Sequence, residues 1–268
     1  MYQEFYGFTR LPFDKDISPN NLFAAPDQQE LAARLTFLLR QQGLGLVTGE
    51  IGAGKSTAIR GFTAQLDPNR FLLIYLPNPT IGMNGLYRDI LTALHYEPPY
   101  SRPKLVAAIR AAFSELVQSR RRFPLLVIDE AHLLPADAFE QFRLLLSDQM
   151  DSHSLASLLL VGQPVLRDTL RLAGNQAFYQ RLTIRYHLQP LDLQNSIAYI
   201  KHHIQIAGFQ GGPLFSDDAL GRVFDYTKGV PRQINLLCTT ALLAGMLDQK
   251  RILDESTIRK AIADIDRH

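Results

Sequence analysis

Leu44-Gly45-Leu46-Val47-Thr48-Gly49-Glu50-Ile51-Gly52-Ala53-Gly54-Lys55-Ser56-Thr57 is an apolar run that breaks into a glycine-rich turn and resumes on a lysine and two hydroxyls. Leu44 to Thr48 reads as a short buried strand. Lys55 to Leu66 reads as a helix. The stretch between them fits the pattern G-x-x-x-x-G-K-[ST]. By chance that pattern arises in on the order of one chain in a hundred of this length, and the strand before and helix after make chance rarer still. Glycines at positions 49, 52 and 54 let backbone N–H groups turn towards anionic oxygens. A helix beginning near Lys55 adds its positive end. Lys55 suits the β- and γ-phosphates of a nucleotide, and Ser56 offers a hydroxyl to Mg²⁺. The residues expected to cradle the nucleotide are therefore Gly49, Glu50, Ile51, Gly52, Ala53, Gly54, Lys55, Ser56 and Thr57.

A second motif lies about 75 residues on. Leu125-Leu126-Val127-Ile128-Asp129-Glu130 is an apolar strand delivering two carboxylates to its C-terminal end, where ligands bind in open α/β sheets. Asp129 is placed to hold Mg²⁺, partly through water. Glu130 is placed to polarise a water for attack on the γ-phosphate. His132 completes Asp-Glu-Ala-His. No His or Cys stands at zinc-ligand spacing from it, so it is given no metal role.

Outward from these motifs, apolar strands alternate with amphipathic helices, which indicates an α/β fold with a largely parallel sheet. Phe71 to Leu76 is the second strand, too continuous in its apolar character to be half-exposed. Leu155 to Val161 and Thr183 to Leu188 are the fourth and fifth. After Leu191 the pattern becomes helical: Asn195 to Ala207, Asp217 to Tyr226, Pro231 to Leu247 and Glu255 to Ile265. Ser216 and Asp254 stand as caps before two of these. The expected domains are 1–190 for the nucleotide and 191–268 for a helical lid.

The 268 residues carry 28 basic and 26 acidic side chains, net +2, which permits nucleic-acid contact without demanding it. Residues 191–268 hold nine of each sign, so the small excess belongs to the first part. The single cysteine, Cys238, excludes an internal disulfide and fits a reducing compartment. No membrane-length apolar run and no signal-like N-terminus appear, so a cytoplasmic location is expected.

These motifs and their flanks resemble AAA+ ATPases, and more narrowly the ExeA/GspA-type ATPases. The resemblance runs from Met1-Tyr2, Phe5, Gly7, Pro12 and Phe13 through the two motifs and Leu160-Val161-Gly162-Gln163-Pro164. It continues to Gln180-Arg181-Leu182, Arg185-Tyr186-His187-Leu188 and Gly229-Val230-Pro231-Arg232. It implies ATP as the nucleotide, a five-stranded parallel sheet sandwiched by helices, a small helical lid and a homo-oligomer in ring or filament form. It also implies that Gln163 senses the γ-phosphate and that Arg232 is the lid's second sensor. Arg181 is its first choice for an arginine finger acting on a neighbouring subunit, with Arg185 the second. Asn78 is a candidate restraint on Glu130. Phe8 and Phe13 either line the adenine pocket or are core aromatics.

Secretion proteins of this type continue into a membrane span and a cell-wall-binding region, whereas this sequence stops at His268. Stand-alone ATPases resembling it are similar in logic to MuB-, TnsC- and IstB-type regulators. The leading expectation is thus an ATP-dependent, duplex-DNA-binding regulator of transposition that recruits a transposase encoded nearby. A soluble relative of the type II secretion or pilus-assembly ATPases is the alternative. Arg102, Lys104, Arg110, the cluster Arg120-Arg121-Arg122, Arg143, Arg167 and Arg171 are candidate DNA contacts; basic helix ends are the competing reading.

Overall fold

A computed structural model describes residues 2–149 and 153–267. The expected family match at Met1 and the chain end at His268 lie outside the described residues. Chain contacts divide the protein into two compact units, residues 27–51 with 55–188 and residues 1–26, 52–54 with 189–268.

The larger unit is an α/β sandwich. Its strands are β1 (Leu44–Gly49), β2 (Phe71–Leu76), β3 (Phe123–Ile128), the short β4 (Ser147–Asp148) and β5 (His153–Ser154), β6 (Ser157–Gly162) and β7 (Leu182–Leu188). Five of them form one sheet, ordered β2-β3-β6-β1-β7, and every pairing in it is parallel. β4 and β5 pair antiparallel by themselves. All four C-terminal ends of β1, β3, β6 and β7 therefore point the same way, and the loops that leave them share one edge.

The inner strands β1, β3 and β6, buried along their whole length, present alternate residues to two apolar layers. Leu46, Ile74, Leu126, Ile128, Leu158 and Leu160 pack on one face. Helices α4 (Gly82–Ala93), α5 (Arg102–Gln118), α6 (Ala138–Leu146), α7 (Val165–Arg171) and α8 (Gln176–Gln180) supply that layer. Val47, Val127, Leu159, Val161 and Ile184 face the other way, against Leu31, Leu35 and Leu38 of α2 (Pro26–Arg40) and Ile59 of α3 (Lys55–Thr63).

β2 departs from the expectation of a fully buried strand. Ile74 and Leu76 are buried, but Leu73 and Tyr75 are 42% and 47% exposed. The reason is topological. β2 is an edge strand, and the core that α2 and α3 form covers residues of β1, β3, β6 and β7 but reaches only Phe71 of β2.

The second unit gathers α1 (Tyr2–Tyr6), α9 (Leu193–Ile206), α10 (Asp217–Thr227), α11 (Pro231–Leu247) and α12 (Glu255–Ile265) around a core that includes Tyr2, Tyr6, Phe8, Phe13, Ile200, Ile234 and Leu242. The sequence reading put residues 1–26 with the nucleotide domain. In the structure they pack on the C-terminal helices: Tyr6 Oη donates to Lys250 O at 3.1 Å, and Thr9 N to Ala207 O at 2.9 Å. Capping is as expected at Ser216 and Asp254, which accept from Ala219 N and Thr257 N, and Asp192 caps α9 in the same way. Each such cap is worth ~1 kcal/mol. No helix among the described residues is long and apolar enough to cross a membrane.

Candidate nucleotide site

The glycine-rich turn is built by local geometry. Gly52 and Gly54 have φ of +82° and +95°, in the left-handed region that side chains disfavour. Gly49 needs its glycine for space instead, since a Cβ there would sit 2.8 Å from Leu188 O. Lys55 opens α3 and is buried, and its ammonium donates to Gly49 O at 2.8 Å and Glu50 O at 3.0 Å. The turn thus curls around its own lysine, the residue suited to phosphate oxygens.

Asp129 stands across from it. Its N–H donates to Leu76 O at 3.0 Å, extending the ladder past the end of β3 and fixing the backbone. The carboxylate is nearly buried. Ser56 Oγ donates to Asp129 Oδ2 at 2.8 Å, Tyr75 Oη to the same oxygen at 2.8 Å, and Glu130 N to Oδ1 at 2.9 Å. Tyr75 was not foreseen from the sequence. Contact with Asp129, together with burial, pushes its phenol well above the ordinary tyrosine range, burial being the larger cause. Nothing local in the sequence signalled it: the contact follows from the β2–β3 register, which sets Tyr75 opposite Val127.

The serine hydroxyl and the aspartate carboxylate form a small, hard, oxygen-only pair. That suits Mg²⁺, which is commonly held by one or two protein oxygens plus phosphates and water. No cluster of three or more His, Cys, Asp or Glu suited to a metal occurs among the described residues.

Glu130 adopts φ 49° and ψ 35°, left-handed for a non-glycine residue, at a strain of about 1–2 kcal/mol. This turns its half-exposed side chain out of the strand direction. His132 Nδ1 lies 3.3 Å from Glu130 Oε2, within ion-pair reach but without hydrogen-bond geometry, so that nitrogen is buried and unpaired. The same residue packs close to Gly162, where a Cβ would meet the His132 backbone N at 3.3 Å and its Nδ1 at 3.5 Å. Asn78 does not reach Glu130: its Oδ1 accepts from Thr80 N at 3.1 Å and Thr80 Oγ1 at 2.6 Å, capping the 3-10 turn Pro79–Ile81.

Gln163 follows β6, which lies between β3 and β1, on the edge shared by the glycine turn and Asp129. Within the helical unit, Arg232 is the second residue of α11 and donates its N–H to Gly52 O at 3.3 Å. Pro231 fixes the helix start. Gly229 before it, at φ +75°, has room for no side chain, because a Cβ would lie 1.7 Å from Leu191 O. Phe8 and Phe13 are buried in this unit's core, Phe13 stacked on His203 at 5.3 Å, which accords with the core-aromatic alternative.

Arg181 lies at the other end of the sheet. It immediately precedes β7, whose Leu182 is opposite Leu44 at the start of β1. Its guanidinium reaches Ser147 Oγ at 3.3 Å and lines a cavity of about 270 Å³ with Arg143, His153 and Gln42. Arg185 is exposed on β7, stacked 4.1 Å over Tyr179 and donating to Tyr179 O.

Most of the arginines offered as DNA contacts are engaged within the protein. Arg110 donates to Leu144 O, Leu145 O and Ser147 O and pairs with Asp148, closing the C-terminus of α6. Arg143 is bidentate to Glu140, Arg120 pairs with Glu115, Arg122 donates to Phe71 O, and Arg102 bonds Gln141. Arg167 lies 3.9 Å from Asp168, and Arg171 bonds the Tyr179 hydroxyl. The helix-end reading holds for Arg110, which satisfies terminal carbonyls of α6; the others engage neighbouring side chains or, for Arg122, a strand carbonyl.

Residues 38–170 match the family model described as "AAA domain". The sequence is 35% identical to General secretion pathway protein A of Aeromonas hydrophila over 252 residues, covering 91% of this chain and 45% of that protein. The chain thus spans less than half the length of that relative. Among solved structures, Cdc6p from Pyrobaculum aerophilum is similar at TM-score 0.71 and 16% identity, covering 94% of this chain and 70% of the other. A chain of the Drosophila ORC bound to DNA also superposes at 0.71, with 15% identity and coverage of 98% and 65%. At such identities the likeness is one of fold.

Proposed function

We propose that the chain is an AAA+ ATPase similar to the ExeA/GspA proteins, carrying out a Mg²⁺-dependent hydrolysis of ATP completed by a neighbouring copy. The observation that carries this reading is the 2.8 Å bond from Ser56 of the phosphate turn to Asp129 at the end of β3, with Glu130 next in sequence. In the proposed reaction Lys55 exchanges its bonds to Gly49 O and Glu50 O for phosphate oxygens. Glu130 accepts a hydrogen bond from the attacking water. Gln163 and Arg232 sense the γ-phosphate. Bound Mg²⁺ would be held by Ser56 and, partly through water, Asp129, supplying neutralisation of phosphate charge. Such sites work mainly by positioning and electrostatics.

We assign this ATPase to a nucleotide switch in a secretion or pilus-assembly system. The similarity to General secretion pathway protein A supports that role over the regulator of transposition, and so does the engagement of most of the candidate DNA-contacting arginines within the protein. The chemistry is tested with radiolabelled ATP: Glu130→Gln should keep nucleotide and Mg²⁺ yet lose turnover, and normal turnover would remove Glu130 from its role. The role is tested by duplex-DNA titration across salt. ATP-dependent binding that weakens steeply with salt would return the reading to a DNA regulator acting with a transposase.

A further inference from the structure

We infer that Tyr75 is a positioning residue for the magnesium-binding carboxylate, fixing Asp129 so that it meets the cation's water shell. The inference rests on the nucleotide reading above. Asp129 Oδ2 receives two hydroxyl donors, Ser56 Oγ and Tyr75 Oη, each at 2.8 Å. They come from two different elements of the fold. Ser56 lies on α3, after the glycine turn, and Tyr75 on edge strand β2. Oδ1 is held by the N–H of Glu130 at 2.9 Å. The carboxylate is therefore tied on both oxygens by neutral donors.

Packing does not explain a tyrosine at position 75. The strand is at the sheet edge, the side chain is half exposed, and its neighbour on that face, Leu73, is exposed as well. What the hydroxyl touches is the Asp129 carboxylate. The register places Tyr75 opposite Val127, on the same face as Asp129 two residues later. A phenol that donates its proton still has acceptor capacity on its oxygen, so it can serve a cation-bound water as well as the carboxylate. Groups that orient a metal ligand in this way commonly change metal affinity by 10–100-fold when removed.

The test compares the wild-type chain with Tyr75→Phe, which keeps the ring and removes the bond. Binding of a fluorescent ATP analogue is measured in EDTA and then across a Mg²⁺ titration, with thermal melting followed by circular dichroism. The expected result is unchanged affinity in EDTA, unchanged melting, and a Mg²⁺ half-saturation raised by about 10-fold. A wild type that binds and a variant whose Mg²⁺ titration superposes on it would overturn the role of Tyr75 alone. Equal weakening with and without Mg²⁺ would also overturn it, because that marks general loosening. A wild type that ignores the analogue at every Mg²⁺ concentration sinks the nucleotide reading itself.

Discussion

Arg181→Ala gives the sharpest test of the proposed assembly. Parallel pairing sets Leu182 opposite Leu44 and Leu188 opposite Gly49. The residue before Leu182 is therefore at least the length of β1 away from the glycine turn, ~17 Å at about 3.3 Å per residue. An arginine side chain does not span that distance, so Arg181 cannot touch the nucleotide of its own subunit. If it is the finger, it acts on a neighbour through a head-to-tail interface. Such a group contributes roughly 10³–10⁵ in rate, or about 4–7 kcal/mol of transition-state stabilisation. The assay is ATP turnover against protein concentration. Wild type should accelerate as it assembles, and Arg181→Ala should stay at the unassembled rate while binding ATP normally. Mixing it with Lys55→Ala, which lacks the phosphate lysine but retains Arg181, should restore activity at roughly a quarter of the sites under random assembly. Persistent acceleration of Arg181→Ala alone, or a mixture no faster than its parts, refutes the assignment. The same loss and rescue in Arg185→Ala would transfer the role to that residue.

Three further predictions concern stability. Burial, and secondarily the charge of His202, holds the His203 imidazole down to about 4, below its ordinary 6.5. The unfolded chain then binds the extra proton first, so stability should fall by about 3 kcal/mol as pH drops from 6.5 to 4, and His203→Phe should flatten that dependence in urea melts; parallel curves for the two proteins would contradict it. Arg110→Ala strips the carbonyls at the end of α6 of a charged donor and should cost about 2 kcal/mol, roughly 4–8 °C in melting temperature. An unchanged melt with weakened DNA binding would instead make Arg110 a surface contact. Gly229→Ala forces a Cβ against Leu191 O at a left-handed φ and should destabilise by more than about 3 kcal/mol; near-wild-type denaturation would show that the Leu191–Gly229 crossing yields easily.

Features legible in the sequence were those made by near neighbours. The glycine turn, the strand ending in Asp129 and Glu130, and the caps at Ser216 and Asp254 act over a few residues. Their chemistry is written in residue type and spacing, and alternation of apolar runs was enough for an α/β chain. One boundary shifted: α3 stops at Thr63 rather than Leu66, where Gln65 N and Leu66 N bond only three residues back, to Phe62 O and Thr63 O.

Tertiary structure decided whatever depends on strand order and distant pairing. An apolar run such as Phe71 to Leu76 does not encode whether a neighbour lies on both sides; the order β2-β3-β6-β1-β7 made it an edge and exposed Tyr75. That exposure and the parallel register brought a phenol to a carboxylate 54 residues away. Likewise Arg110 became a clamp on α6, and Tyr6 met Lys250, because the folded chain closes loops that no local period records. The sequence by itself determined that a phosphate turn and a carboxylate strand exist, since short-range sterics and charge suffice for each. Only the fold determined which side chains support them, since those contacts exist once the sheet has ordered its strands.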